Sequence, residues 1–298
     1  MTDHFVIGVD IGGTKIAAGA VNRSAEVWGV VTLPTLAAGP LSESLMQVYL
    51  AIERNLSPGA GAIGICAPGP LNPRTGVVLN PPNLPQWRDV PLARIVSERY
   101  SLPCRVENDA NAAGLAEYLF GAARGMEAVL YVTISTGIGT GIILNGRIYH
   151  GKNGAAAEGG HVTVDWRSEA VCNCGAPGCI EALASGTAMA ARAVRRNPAL
   201  DSAEKIAEAA AGGDTVAAEI LDETCDMLSA WLGSMVSVLD PDIVVIGGGV
   251  ARIGAPLFSR LRERVPRRTI NHFADRMPIV PAALADNVGI LGAAAVVF

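Results

Sequence analysis

The chain has 298 residues, half of them hydrophobic and 17% charged, with a formal net charge of −5 at pH 7. This composition is typical of a compact α/β enzyme and excludes an intrinsically disordered chain. The balance is acidic and no long basic run stands out, which argues against nucleic acid as the main partner. The length exceeds what one hydrophobic core usually fills, so we expect two domains, with one large α/β domain as the alternative.

No targeting segment is visible at the start of the sequence. A charged start followed by an apolar run and a small-residue cleavage site is missing, so we predict no signal peptide. Glycine or aspartate interrupts the apolar stretches before they reach the length of a membrane span. We therefore expect a cytoplasmic protein without a membrane partner, whose thiols stay reduced.

The first predicted element is a strand, a glycine-rich turn and a second strand over residues 4–21 (HFVIGVDIGGTKIAAGAV). Backbone N–H groups bind phosphate only where the chain comes close to it, which glycine permits, and hydroxyl or ammonium groups add donors. Asp10, at the end of the first strand, is a candidate outer-sphere magnesium ligand. The candidate phosphate-binding residues of this turn are Gly12, Gly13, Thr14 and Lys15.

Three segments follow in the first half of the chain. A helix is predicted over residues 41–56 (LSESLMQVYLAIERNL) from its apolar spacing. The Pro-rich stretch 80–87 (NPPNLPQW) cannot be a central strand or a helix interior, so we expect a rigid surface loop. In VENDAN (106–111) a strand gives way to an Ala-rich helix at Asp109, and taken alone this position indicates an N-cap.

The strand-turn-strand plan recurs over residues 128–144 (AVLYVTISTGIGTGIIL), and a third strand-to-glycine junction lies at 242–254 (DIVVIGGGVARIG). Ordinary hairpin glycines would explain one such turn, but two matched copies and a third junction favour a nucleotide site. An Ala- and Leu-rich helix is predicted at 217–239, so strands alternate with helices as in α/β folds. The further candidates for binding the nucleotide are Thr136, Gly137, Gly139, Thr140, Gly141, Gly247, Gly248 and Gly249.

Cysteines are concentrated in CNCGAPGCIE (172–181). Cys172, Cys174 and Cys179 follow His161 by 11, 13 and 18 residues, which is a plausible Cys₃His set for a tetrahedral, structural zinc ion. Thiols without a metal are the alternative, although the intervening Asn, Gly and Pro are typical of a turn. The remaining cysteines show no metal spacing and are interpreted as packing residues: Cys66, Cys104 and Cys225.

Taken together, these motifs resemble the ROK family (repressors, open reading frames and sugar kinases). The segments that carry the resemblance, in family order, are DIGGTK, ENDANAAGLAE, STGIGTGI, AEGGH, CNCGAPGCIE and DIVVIGGGV. The resemblance implies an actin-like, hexokinase-like ATPase fold in which two α/β lobes close over a cleft. We expect an N-terminal lobe over 1–109, completed by 287–298, and a C-terminal lobe with the zinc loop over 110–286. Family members are commonly homodimers.

The resemblance also implies roles for single residues. Asp109 corresponds to the base that deprotonates the sugar hydroxyl, and the zinc is structural as in relatives. Ser135 and Thr140 replace glycines of the family's phosphate turn, and their hydroxyls can still donate to phosphate. The expected sugar contacts are Gly69, Asn83, Asn108, Asp109, Glu158, His161 and Glu181.

The expected function is MgATP-dependent phosphorylation of a hexose at its 6-hydroxyl. PNLPQW (82–87) is similar to glucose-phosphorylating relatives, so glucose is favoured over N-acetylmannosamine, N-acetylglucosamine or fructose. A sugar-responsive repressor is disfavoured, because the first hairpin starts near His4 and the chain is acidic. A non-catalytic sugar sensor of the same fold is disfavoured, because Asp109 and Lys15 are both present. The preferred hexose, the use of polyphosphate in place of ATP, and regulation stay open.

Overall fold

The computed structural model describes residues 4–284 and 287–298. Its strands are β1 (Phe5–Ile11), β2 (Lys15–Val21), β3 (Val27–Pro34), β4 (Ala60–Ala67), β5 (Leu71–Asn72), β6 (Val77–Val78), β7 (Cys104–Asn108), β8 (Ala128–Ile134), β9 (Ile138–Leu144), β10 (Arg147–Ile148), β11 (Ile243–Gly247) and β12 (Ile279–Pro281). Its α-helices are α1 (Leu41–Glu53), α2 (Leu92–Tyr100), α3 (Asp109–Phe120), α4 (Ile180–Ala184), α5 (Gly186–Arg196), α6 (Ala203–Ala211), α7 (Thr215–Leu239), α8 (Ala255–Arg264) and α9 (Val288–Ala295). Short 3₁₀ helices cover Gly159–His161, Gly249–Ile253 and Val265–Arg268.

The chain forms two compact units. The first consists of Met1–Arg124, Gly146–Ala157 and Ala283–Phe298, and the second consists of Gly125–Asn145 and Glu158–Ala282. The first unit therefore extends past Asp109, the boundary expected from the sequence, because α3 packs against α9 of the same unit.

The sheet of the first unit has the strand order β3-β2-β1-β4-β7. β1 is antiparallel to β2 and parallel to β4, which is parallel to β7. Buried side chains of α1 and α2 cover one face, and those of α3 and α9 cover the other. A Cβ at Gly64 would overlap the Ala293 carbonyl of α9, so the close approach of this helix to the sheet requires glycine there.

The second unit repeats the strand arrangement of the first. Its strands run in the order β9-β8-β11-β12, with β8 antiparallel to β9 and parallel to β11. This matches β2-β1-β4 of the first unit, which confirms the predicted recurrence of one supersecondary motif. The long helix α7 packs against α6 and α8, and its buried residues include Ile220, Leu228 and Trp231.

Two local predictions need correction. Helix α1 ends at Glu53 rather than at residue 56. Residues 80–87 contain neither helix nor strand, as predicted, but they are not a surface loop throughout. Leu84 and Trp87 are fully buried in the core of the first unit, because their large apolar side chains stabilise the fold more inside it than in water.

Within residues 4–284 and 287–298, no helix combines the length and the apolar character that crossing a bilayer requires.

Candidate active site

In the first unit, predicted site residues meet at one edge of the sheet. Asp10 of β1 lies opposite Cys66 of β4, and Cys66 lies opposite Glu107 of β7. Because these three strands are parallel, their carboxyl ends share an edge, where ligands of α/β folds commonly bind. Gly69, which follows β4, and Asn108, which ends β7, lie at this same edge.

The junction of β7 and α3 positions Asn108 and Asp109. Asn108 is the N-cap: its side chain accepts hydrogen bonds from the backbone N–H groups of Ala110 at 3.0 Å and Asn111 at 3.2 Å. Asp109 is the first residue of α3, is exposed, and accepts a 2.8 Å hydrogen bond from Ala110 N–H. The plain reading of Asp109 as the N-cap is therefore wrong, since Asn108 occupies that position.

Glu107 is a component of the site that the sequence did not single out. Its side chain is 4% exposed, and Oε1 accepts hydrogen bonds from Asn108 N–H at 2.9 Å and Asn111 Nδ2 at 3.1 Å. Oε2 lies 2.6 Å from His150 Nε2. Glu107 thus connects the residue that caps α3 to His150. The four-residue spacing to Asn111 was a usable signal, whereas nothing in the sequence pointed to His150.

Asp10 and Cys66 form a buried pair below the first turn. The Cys66 thiol donates to Asp10 Oδ1 at 3.3 Å and lies 3.4 Å from the carbonyl oxygen of Gly289. Burial raises the pKa of Asp10, while the Cys66 hydrogen bond and the charge of Lys15 oppose that rise. Burial also raises the pKa of Cys66, so the thiol stays protonated and acts as a donor. Cys66 is buried, as a packing residue would be, and in addition it orients the Asp10 carboxylate.

The turn between β1 and β2 contains Gly12, Gly13 and Thr14, with Lys15 opening β2. Gly12 N–H donates to Lys15 O at 2.9 Å, and the hydroxyl of Thr35 donates to Gly12 O at 2.6 Å. A Cβ at Gly13 would lie 3.0 Å from the Cβ of Asn83. The structure therefore places Asn83, an expected sugar contact, directly beside the expected phosphate turn.

The corresponding turn of the second unit covers residues 135–137. Thr136 is exposed at its tip, whereas the other predicted residues, Gly139, Thr140 and Gly141, lie within β9. Thr140 is 3% exposed, and its hydroxyl oxygen accepts a 2.9 Å hydrogen bond from Gly159 N–H. Thr140 thus supports the loop that carries His161.

The third glycine stretch packs against this second turn. Gly247 ends β11, and Gly248 has a φ of +84°, which favours glycine. A Cβ at Gly248 would collide with the backbone of Ile134, the last residue of β8. Gly249 begins the next 3₁₀ helix. Gly186 N–H, at the start of α5, donates to Ser135 O at 2.8 Å, a contact that the sequence did not reveal.

Glu181 of α4 also contacts the second turn. Its Oε2 accepts a 2.9 Å hydrogen bond from Ile138 N–H, and a Cβ at Gly137 would collide with the same carboxylate. Its Oε1 lies 3.5 Å from the sulfur of Cys172. Glu181 therefore links the glycine turn to the cysteine cluster.

The cysteine cluster has the arrangement that its spacing predicted. One ligand atom from each of His161, Cys172, Cys174 and Cys179 lies within 4.8 Å of all the others. The sulfurs of Cys174 and Cys179 are 3.7 Å apart, and His161 Nδ1 is 3.4 Å from the Cys172 sulfur. A tetrahedral ion with metal–sulfur bonds of about 2.3 Å requires sulfur–sulfur distances of about 3.8 Å, so the donor set fits zinc.

Glu158 precedes the 3₁₀ helix that contains His161. Burial raises the pKa of Glu158, the charge of His161 lowers it, and the charge of Glu181 raises it. The structure thus brings together the three predicted sugar contacts of the second unit, beside the cysteine cluster.

Known proteins are similar to this chain over nearly its whole length. The model of the ROK family matches residues 6–298. A glucokinase of Thermotoga maritima is 35% identical, over 98% of this chain and 96% of the relative. A ROK family glucokinase from Streptomyces griseus, crystallised in complex with glucose and AMPPNP, is 33% identical with a TM-score of 0.84, and the match covers 98% of both chains.

A ROK hexokinase from Thermus thermophilus is 37% identical with a TM-score of 0.87, and the match covers 98% of this chain and 97% of that one. These likenesses confirm the expected actin-like, hexokinase-like ATPase fold. Because the family model spans the described sheets, both glycine turns and the cysteine cluster, the chain belongs to the ROK family.

Proposed function

We propose that this protein is a glucokinase: a hexose kinase that transfers the γ-phosphoryl group of ATP to the 6-hydroxyl of glucose. The observation that carries the proposal is the position of Asp109. In a chain similar to a glucokinase over 98% of its length, the exposed Asp109 is the first residue of α3, next to the Asn108 cap. Phosphoryl transfer to an alcohol requires such a base beside the attacking hydroxyl and an in-line approach to the phosphate.

In the proposed reaction, Asp109 accepts the proton of the 6-hydroxyl as its oxygen bonds to the γ-phosphorus. The bond between that phosphorus and the β–γ bridging oxygen breaks, and ADP leaves with the bridging oxygen. The Asn108 cap fixes the start of α3 and thereby the position of Asp109. Glu107, which holds Asn108 and Asn111, positions the same turn of helix.

Sugar contacts in the first unit are assigned to Gly69, Asn83 and Asn108. The Oδ1 of Asn108 already accepts two backbone N–H groups, so Nδ2 is the atom that donates to a sugar oxygen. Asn83 lies beside Gly13 of the phosphate turn, which brings the sugar-contacting amide near the expected phosphate donors.

In the second unit, Glu158, His161 and Glu181 are assigned to sugar hydroxyls. The carboxylates accept hydrogen bonds from hydroxyl groups. In His161, Nδ1 faces the Cys172 sulfur, so Nε2 is the nitrogen directed to the sugar.

ATP phosphates are assigned to the backbone N–H groups of the two glycine turns and to Thr14, Lys15 and Thr136. The glycine stretch 247–249 supports the second turn. Magnesium prefers oxygen ligands and retains several waters, and the Asp10 carboxylate at the end of β1 is the group that would hold them. Bound near Asp10, the ion would favour the charged carboxylate and neutralise developing charge on the phosphates.

We assign the Cys₃His set to a structural zinc ion held by His161, Cys172, Cys174 and Cys179. Four protein ligands close a tetrahedral shell, so the ion supplies folding energy rather than an activated water. The contact of Cys172 with Glu181 means that the ion would fix a sugar-binding carboxylate together with the loop. We also infer a cytoplasmic location, where the free cysteines stay reduced. A homodimer is proposed from the family resemblance, and light scattering of the purified protein tests it.

The test of the function is ADP release from MgATP with glucose, mannose, fructose, N-acetylmannosamine and N-acetylglucosamine as acceptors. We expect the largest kcat/KM with glucose. A higher kcat/KM with an N-acetylated hexosamine or fructose would overturn the glucose assignment. Sugar-independent ADP release at the same rate would overturn the kinase assignment itself.

A further inference from the structure

The first unit contains an open cavity of about 830 Å³ that the proposed reaction does not use. Its walls combine the β5–β6 connection, β7, the segment after β9 and the end of the chain after α9. All of its lining residues belong to the first unit. Its volume is typical of a site for a small molecule.

Three arginines line this cavity: Arg74, Arg105 and Arg147. The guanidinium of Arg74 donates to Gly151 O at 2.9 Å, and that of Arg105 donates to Val296 O at 3.4 Å. These contacts with carbonyl oxygens orient the guanidinium groups without neutralising them. Within the described ranges, none of the three forms an ion pair with a carboxylate.

Nearby acceptors on the wall are already engaged. Glu107 is buried and accepts hydrogen bonds from Asn108 and Asn111, and its other oxygen lies against His150. The backbone oxygen of Phe298 accepts a hydrogen bond from a guanidinium outside the wall, that of Arg23, at 3.3 Å. Within the described residues neither group pairs with the three arginines, so the guanidinium N–H groups that no carbonyl oxygen uses are available to a ligand.

Several arginines of the second unit are instead paired with carboxylates. Arg260 and Arg264 both pair with Asp222, and Arg268 pairs with Asp226. Arg262 of the same unit donates to a carbonyl oxygen, that of Ile279, as Arg74 and Arg105 do, so what sets the three arginines apart is that they line one cavity together.

We propose that this cavity binds a small phosphate ester. Guanidinium groups bind phosphate in a planar, two-point geometry, and three of them can surround one phosphate. The apolar parts of the wall, Leu115, Val296 and Phe298, suit the carbon portion of the ligand. An extended polyanion does not fit, because it requires a basic surface that this acidic chain lacks.

The site is connected to the proposed catalytic residue. Glu107 and His150 lie on the cavity wall, and Glu107 also holds Asn108, the cap of the helix that begins at Asp109. An occupied cavity would therefore change the rate of the kinase through Glu107. This consequence rests on the proposed function, whereas binding of the phosphate ester does not.

Isothermal titration calorimetry with glycerol 3-phosphate, in the absence of sugar and nucleotide, tests the binding. This ester is not a product of the proposed reaction, and glycerol is the uncharged control. We expect saturable binding to the unaltered protein and at least about tenfold weaker binding to the double variant Arg105→Gln/Arg147→Gln. The matched control is Arg54→Gln, an exposed arginine at the end of α1 that does not line the cavity, which should bind as the unaltered protein does.

Three results would overturn the proposal: no saturable heat, equal affinity in the double variant, or glycerol binding as tightly as its phosphate ester. Circular dichroism establishes that the variants are folded. If the double variant is not folded, Arg147→Gln alone decides the outcome, since its side chain makes no hydrogen bond within residues 4–284 and 287–298. Failure of the kinase assay would leave this binding test unaffected.

Discussion

The two glycine hairpins share a strand plan but are supported by different parts of the chain. In the first unit, the turn is closed by Gly12 and Lys15 and tied to Thr35, which follows the neighbouring strand β3. In the second unit, Ser135 N–H and Gly137 O close the turn, and groups remote in the chain add support: the Glu181 carboxylate binds Ile138 N–H, and Gly186 binds Ser135.

Because of this difference, the stability of the second unit and the turnover of the enzyme should respond to substitutions at different places. The first turn is hydrogen-bonded within its own sheet region and packs against Asn83, next to the strand ends that carry Asp10 and Asn108. The second turn is linked through Glu181 to Cys172 and hence to the proposed zinc site. Changes at the cysteine cluster should therefore alter the second unit, while changes at the β7–α3 junction should alter turnover and leave both hairpins in place.

The largest effect is expected from Asp109→Asn. Removing the base should lower kcat by about 10²–10⁴-fold. The thermal midpoint should change little, because Asn108 rather than Asp109 caps the helix. Steady-state ADP release, with sugar binding measured by calorimetry, checks both expectations. The control is Glu98→Gln, an exposed carboxylate of α2, and a near-normal kcat in Asp109→Asn would remove this residue from the mechanism.

Loss of the cysteine cluster should be the largest effect on stability. Cys174→Ser should abolish stoichiometric zinc, as measured by mass spectrometry of the metal, and lower the free energy of unfolding by more than about 3 kcal/mol. Cys104→Ser, in the first unit and outside the cluster, is the matched control. Zinc-free protein with full activity and unchanged stability would contradict the proposed link between the cluster and the second turn.

Two glycine substitutions compare the hairpin supports directly. Gly248→Ala should destabilise by about 1–3 kcal/mol, because its φ is +84° and the new Cβ meets the backbone of Ile134. Gly12→Ala should cost about 1 kcal/mol or less, since its Cβ would lie 3.3 Å from Lys15 O. Urea unfolding without nucleotide measures both. Equal losses would mean that the two turns are supported alike.

Glu107→Gln should lower kcat by about tenfold, because a neutral amide holds His150, Asn108 and Asn111 more weakly than a carboxylate does. The KM for glucose should change less than kcat if Glu107 positions Asp109 rather than the sugar. A loss of thermal stability with unchanged kcat would instead assign Glu107 a purely structural role.

The smallest effect, and one of opposite sign on stability, is expected from Asp10→Asn. Burial raises the folded-state pKa of Asp10, so the charged carboxylate costs stability above that pKa, and the cost disappears as the pH falls through it. At neutral pH the amide should therefore raise the thermal midpoint slightly while lowering MgATP-dependent turnover. A lower midpoint in calorimetric scans would show that the charge of Asp10 stabilises the first unit.

Much of the site could be predicted because its signals are local. The glycine turns, the strand-to-helix change at Asp109 and the Cys₃His spacing lie within short segments, where residue type and backbone geometry are directly linked. The pairing of Glu107 with His150 could not be predicted in this way, because the two residues are 43 positions apart. The burial of Trp87 was missed for a related reason. The prolines indicate an irregular backbone, but they do not show that the side chains of this loop reach into a core.

The amino-acid sequence by itself determined the two hairpins and the Cys₃His set, since the residues of each lie close together in the chain, whereas the structure moved the cap of α3 from Asp109 to Asn108. Only the tertiary structure decided that Asn83 lies against Gly13, that Glu181 supports the second turn, and that three arginines share a cavity with Glu107. The physical reason is that these contacts join strands, loops and helices distant in the chain. Their packing follows from burying both faces of each sheet, which no local pattern encodes.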